Sequence, residues 1–204
     1  MSLLASATSI TRYHVLEKLE NPVTEAVYAG LQQDRIPEID DVDTALSSGW
    51  TSLQDPYIPN FEGASFVYGS YFIFSLRIDK KTIPSKLIHK YLAIEIAKKL
   101  KASGREFLSK NEKQMIKEHV INLLNLRIPA TPNIYNVLWN YESALVWFFT
   151  HLKGPNEILE TLFKTSFGLT LKRIFPFSFA ESNPKMSAFD RDQLLSLTPT
   201  SFQR

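Results

Sequence analysis

Pro84 and Pro129 fence off a stretch whose apolar residues recur every three to four positions, inside a chain whose flanks alternate every two. From Pro84 the residues Leu87, Ile88, Tyr91, Leu92, Ile96 and Leu100 fall at helical spacing, and Gly104 is placed to stop the helix. Ser109, with Glu112 three residues on, has the form of a capping box that opens a second helix. Its apolar side is Ile116, Val120, Leu123 and Leu124, and Arg127-Ile128-Pro129 closes it. The joint is short enough to force antiparallel packing. The spacing therefore predicts a helical hairpin over about residues 84–126, standing out from a sheet.

The flanks supply that sheet. Residues 4–15 read as a first strand, and Asn21-Pro22 as a cap and first-turn proline for a helix to about Leu31. "RIPEIDDVDTALSSG" reads as an acidic loop. "GWTSL" and "ASFVYGSYFIFSLRIDK" read as strands, turning at Gly69-Ser70, the long one expected to be covered on both faces. Beyond the hairpin, "NIYNVLW" and "ALVWFFTHL" pair through "NYES". A helix runs from Gly154-Pro155 to Phe167, Gly168 stops it, and "LTLKRIFPF" is a last strand. The order β-α-β-β-β-α-α-β-β-α-β predicts an α+β fold, mostly antiparallel, with packed helices and a protruding basic hairpin. One domain is expected over residues 1–180. From Glu181 the polar chain reads as a flexible or partner-docking tail.

Charge is distributed unevenly along this outline. Arg77 to Arg127 holds 13 Lys or Arg against 5 Asp or Glu, a net +8; the remainder holds 10 against 16, a net −6. Such asymmetry suits a polyanionic partner. The chain has no cysteine, which excludes disulfides, thiolate chemistry and cysteine-held metals. No apolar run is long enough to span a bilayer, and the start lacks the basic and apolar regions of a secretory signal. A cytoplasmic protein is expected.

The residues offer several sites of unequal promise. Lys110, Lys113 and Lys117 stand at i, i+3 and i+7, one stripe on the second helix, expected opposite its apolar side. Lys86, Lys98 and Lys101 lie on the first helix, Arg105 in the joint, and Lys80 and Lys81 just before it, with Arg77 on the strand leading in. A row of cations replaces the counterions condensed on nucleic acid, so binding is salt-dependent and blind to sequence. A solvated helix surface, partly neutralised by Glu95, Glu106, Glu112 and Glu118, accounts for the charge alone better than a polyanion does. Glu38, Asp40, Asp41 and Asp43 are the carboxylates a metal-dependent exonuclease would need, yet they sit close together in a loop with no acidic partner on a strand. His14, His89, His119 and His151 form no metal pair and no triad. Trp50, Trp139, Trp147, Phe148 and Phe149 could stack on bases, but core packing suits them better. Nothing here calls for a catalytic group, a metal or a cofactor.

Several stretches taken in order carry a resemblance. "SSGWTS" precedes a strand pair and "FSLRIDKKTIPSKLI"; then come "GREFLSKNEKQMIKEHV", "RIPATPNIYNVLWNYESALVWFFT" and "ILETLFKTSFGLTLKRIFPFSFA". Over about residues 1–180 this order resembles the RdgC family of bacterial recombination-associated proteins. The resemblance implies sequence-nonspecific DNA binding in recombination or replication, association with the nucleoid, a homodimer, and restraint of a RecA-type recombinase. Lys80 and Lys81, Lys110 and the Lys117-Glu118 pair match basic positions of the family, and Gly49-Trp50 matches a structural one. Longer members have Gly-Arg where this chain has Ser109-Lys110, and they extend further, so a closed ring, an open dimer and a monomer assembling on DNA all stay open. The set expected to meet DNA phosphates is Lys80, Lys81, Lys86, Lys98, Lys101, Arg105, Lys110, Lys113 and Lys117. The family is also labelled putative exonuclease, which these residues do not support. A protein-interaction module docking an acidic partner is the remaining alternative.

Overall fold

A computed structural model describes residues 7–181 and 185–198. Seven strands form one sheet: β1 (Thr11–Val15), β2 (Leu46–Thr51), β3 (Val67–Tyr68), β4 (Tyr71–Lys80), β5 (Thr131–Asn140), β6 (Leu145–Phe148) and β7 (Leu171–Arg173). Their spatial order is β2-β4-β5-β6-β1-β7, with β3 on the end of β4, and every pairing between them is antiparallel. Helices α1 (Val23–Gln33) and α4 (Lys153–Phe167) lie on one face. Helices α2 (Ser85–Ser103) and α3 (Lys110–Asn125) form the hairpin between β4 and β5, and α5 (Pro176–Glu181) and α6 (Ala188–Ser196) follow the sheet. The fold is α+β, as the alternation of periodicities predicts.

The core is aromatic because alternate residues of the long strands are large. Phe72, Phe74, Leu76 and Ile78 of β4 meet Val137 and Trp139 of β5, and Leu31, Leu159, Phe163 and Phe167 cover them from the helices. Trp50 is fully buried, edge-on to Phe74 at 5.1 Å and stacked on Phe167 at 5.7 Å. Its indole N–H donates to Ser166 Oγ, which donates in turn to Asp34, so the one polar atom of the ring is satisfied. Trp139, Phe148 and Phe149 are likewise buried and out of reach of any base.

The second sheet face is covered only in part. Over Ser75, Arg77 and Asp79, the loops 34–45 and 52–60 close it; all three residues are buried. Tyr71, Ile73, Leu138 and Trp147 remain half-buried. The long strand is thus covered on both sides for half its length.

Several boundaries differ from the sequence reading. The first strand starts at Thr11, and residues 1–6 lie outside the described ones. Asn21 does not cap α1: Pro22 holds the N-cap position, with no side-chain cap bond. β7 ends at Arg173, because Pro176 cannot donate to a ladder and starts α5 instead. Part of the tail expected to be flexible, residues 182–184 and 199–204, lies outside the described ones. Within the rest, Ser187 and Asp190 form a capping box that opens α6.

Gly49, the fourth residue of β2, stands where the strand admits no side chain. A Cβ there would stand 2.5 Å from the backbone N and Cα of Ile36, where Arg35 bridges Trp50 along the edge of β2. Gly49→Ala is expected to cost at least about 2 kcal/mol, lowering the thermal midpoint. Gly69→Ala, in a turn with open space around it, loses less, about 1 kcal/mol from its positive φ.

Candidate nucleic-acid interface

The hairpin has its own small core. Leu108, Ile116, Val120 and Leu124 are buried, and Ile83, Leu87, Ile88, Tyr91, Leu92, Ile96, Leu100 and Ile128 pack around them. No residue of α2 is fully buried, so that helix touches its partner along one seam and faces water elsewhere. The ends are capped as the sequence implies. Gly104 ends α2 in the left-handed conformation (φ 65°). Ser109 Oγ accepts from the Glu112 N–H, and the Glu112 carboxylate accepts from the Ser109 N–H at 2.9 Å. Those bonds from Ser109, with help from the Arg105 and Lys99 charges, hold the Glu112 carboxyl below its ordinary range.

The cations divide sharply. Lys80, Lys86, Lys98, Lys101, Arg105, Lys110, Lys113 and Lys117 are all exposed. Lys98 meets Glu95 at 2.6 Å and Arg105 meets Glu112 at 3.4 Å. For the other six no carboxylate stands within ion-pair range among the described residues. Lys90, near the Tyr91 ring, and Lys99 share that condition and belong with them; helical spacing puts Lys90 on the face of Lys86, while only its charge pointed to Lys99.

Lys81 does not belong to the set. It is 4 % exposed, and its ammonium donates to three backbone carbonyls: Asp40 at 3.0 Å, Val42 at 2.8 Å and Asn125 at 2.5 Å. With all three donors used and water excluded, it cannot reach a phosphate. Arg77 is also inside. It forks onto Asp79 (Nε to Oδ1 at 2.7 Å, Nη2 to Oδ2 at 2.5 Å) and lies 3.6 Å from Glu38. Burial works against its charge, but the Asp79 bonds outweigh that and hold the guanidinium above its ordinary value.

The exposed cations do not form one row. A groove of about 440 Å³ on one side of the seam is lined by Glu95, Lys98, Lys99, Ala102, Met115, Ile116 and His119, two lysines against one carboxylate. Lys110, Lys113 and Lys117 do not line it. At about 100° per residue their stripe lies roughly 60° round α3 from the buried seam, beside it rather than opposite. The hairpin is therefore cationic on both broad sides.

The acidic loop is occupied structurally. Asp40 accepts from the Ala130 N–H at 2.7 Å, Asp43 from Asn125 Nδ2 at 3.3 Å, and Glu38 faces Arg77. Among the described residues no group of three or more His, Asp or Glu is placed to hold a metal ion. His14, His89, His119 and His151 lie exposed and apart in the chain. Among the same residues no helix is long and apolar enough to cross a membrane. Compared with known proteins, the chain matches no family model, and no curated protein matches it either.

The neighbouring lysines give a direct test of this division. Lys81→Met leaves one buried and two part-buried carbonyls without their donor and is expected to cost about 2–4 kcal/mol in a denaturant titration. Lys80→Met, at an exposed position, is expected to stay within about 0.5 kcal/mol of wild type.

Proposed function

We propose that this protein binds DNA without regard to sequence, through phosphate contacts made by its helical hairpin. One observation carries the reading: six exposed lysines or more, with no carboxylate partner among the described residues, lie on or beside an arm that stands clear of the sheet. An ordinary solvated helix places acids among its bases at i+3 or i+4. Here α3 carries Lys110, Lys113 and Lys117 along one stripe, while its acids cap the helix (Glu112) or accept from Gln114 (Glu118). Lysine suits the task as a point charge that meets a phosphate from many angles. The sequence resemblance to the RdgC family extends the proposal: the binding would serve recombination or replication at the nucleoid, restrain a RecA-type recombinase, and involve a homodimer.

Neutralising about six phosphates gives a log–log salt slope near −5, so affinity should fall about a thousandfold between 50 and 200 mM salt. Replacing Lys110, Lys113 and Lys117 with Glu should weaken every DNA sequence equally, flatten that slope, and leave the melting temperature within a few degrees. Affinity that ignores salt, or a loss confined to one sequence, would remove the proposal.

A further inference from the structure

The tip of the hairpin holds a side chain that phosphate binding does not use. The joint between α2 and α3 is tied at both ends, by Gly104 in its left-handed turn and by the reciprocal cap of Ser109 and Glu112. Leu108 pins it from within, 6 % exposed in the seam. Phe107, one residue earlier, faces solvent and is 80 % exposed, more than any other large apolar side chain described. A joint held this firmly has little freedom to fold the ring away. The residues around it in the chain, Lys101 to Glu106 and Ser109 to Asn111, are all exposed, and all but two of them are polar or charged. A protein hot spot needs a surrounding ring of contacts that excludes water. A nucleobase needs one flat apolar ring, with cations nearby for the adjoining phosphates. Lys101, Arg105 and Lys110 supply those cations within a few residues. Glu106 and Glu112 are the neighbours of the wrong sign, and Glu112 stands 3.4 Å from Arg105, so a phosphate there competes with that pair.

We propose that Phe107 is a base-stacking residue: its ring packs on an unpaired base of single-stranded DNA while Lys101, Arg105 and Lys110 hold the phosphates to either side. The inference rests on the hairpin being the DNA-binding arm. It adds a preference for unpaired bases, because the bases of an intact duplex already stack on each other and offer no free face.

The test measures binding of the full chain to an oligothymidine and to a duplex of equal length, at fixed salt. Phe107→Ala should weaken the oligothymidine about tenfold, leave the duplex within about twofold, and keep the salt slope. Phe107→Trp should restore the affinity, and its emission should be quenched by the single strand and not by the duplex. Equal affinity of wild type and Phe107→Ala for the single strand overturns the proposal, as does an equal loss on both forms. A fall in molar mass for Phe107→Ala by light scattering also overturns it, since Phe107 would then fill a pocket of a second copy. If Lys110, Lys113 and Lys117 matter to binding and Phe107 does not, this inference alone fails. A wild-type protein that binds neither form removes both readings.

Discussion

The buried ammonium of Lys81 holds the working parts of this protein together. It sits where β4 leaves the sheet for the hairpin, and its own N–H donates to the Ala45 carbonyl. Its three side-chain donors reach two segments that nothing in the local sequence joins: the loop at Asp40 and Val42, and the end of α3 at Asn125. A charge taken out of water is tolerated only when each of its donors finds an acceptor, and here each does. Asp40 and Asp43 reinforce the joint by accepting from Ala130 and Asn125. The acidic loop thereby becomes a clamp on the base of the hairpin. The direction in which the arm leaves the sheet follows from that clamp.

Two separate cores follow from this arrangement. The large one lies between the sheet and α1 with α4, and its aromatic contacts tie residues far apart in the chain. The small one runs along the seam of α2 and α3. A seam of that kind covers only one stripe of each helix, so most of the arm's surface is free for charge. The arm can therefore carry many lysines without burying any of them. Its position, set at the base by Lys81, does not depend on those lysines.

Much of this was legible along the chain. Pro84, Gly104, Ser109 with Glu112, and Gly168 act within a turn of where they stand, so the helix limits they imply match the structure closely. The hairpin seam was legible for the same reason, since helical spacing alone selects Leu87, Tyr91, Ile116 and Val120. Lys80 and Lys81 show where such reading stops. Both extend β4 and their side chains point to opposite faces, but which face is covered depends on a loop some forty residues earlier. Phe107 escaped notice because one aromatic in a joint has no periodicity; only Leu108 taking the inward place leaves it outside.

The sequence by itself determined the elements and their order as far as β7, because caps, breakers and apolar periods act over a few residues; α5 and α6 fall where it read strand end and tail. It determined, too, that positive charge concentrates between β4 and β5. Beyond the β3–β4 and β5–β6 hairpins, the tertiary structure alone decided which strands lie side by side, placing β1 between β6 and β7 through contacts such as Thr11 Oγ1 to the Thr150 carbonyl. It alone decided that Lys81 and Arg77 are structural while Lys110, Lys113 and Lys117 are free. A cation's role is set by the groups that surround it, and those arrive from distant parts of the chain only when it folds.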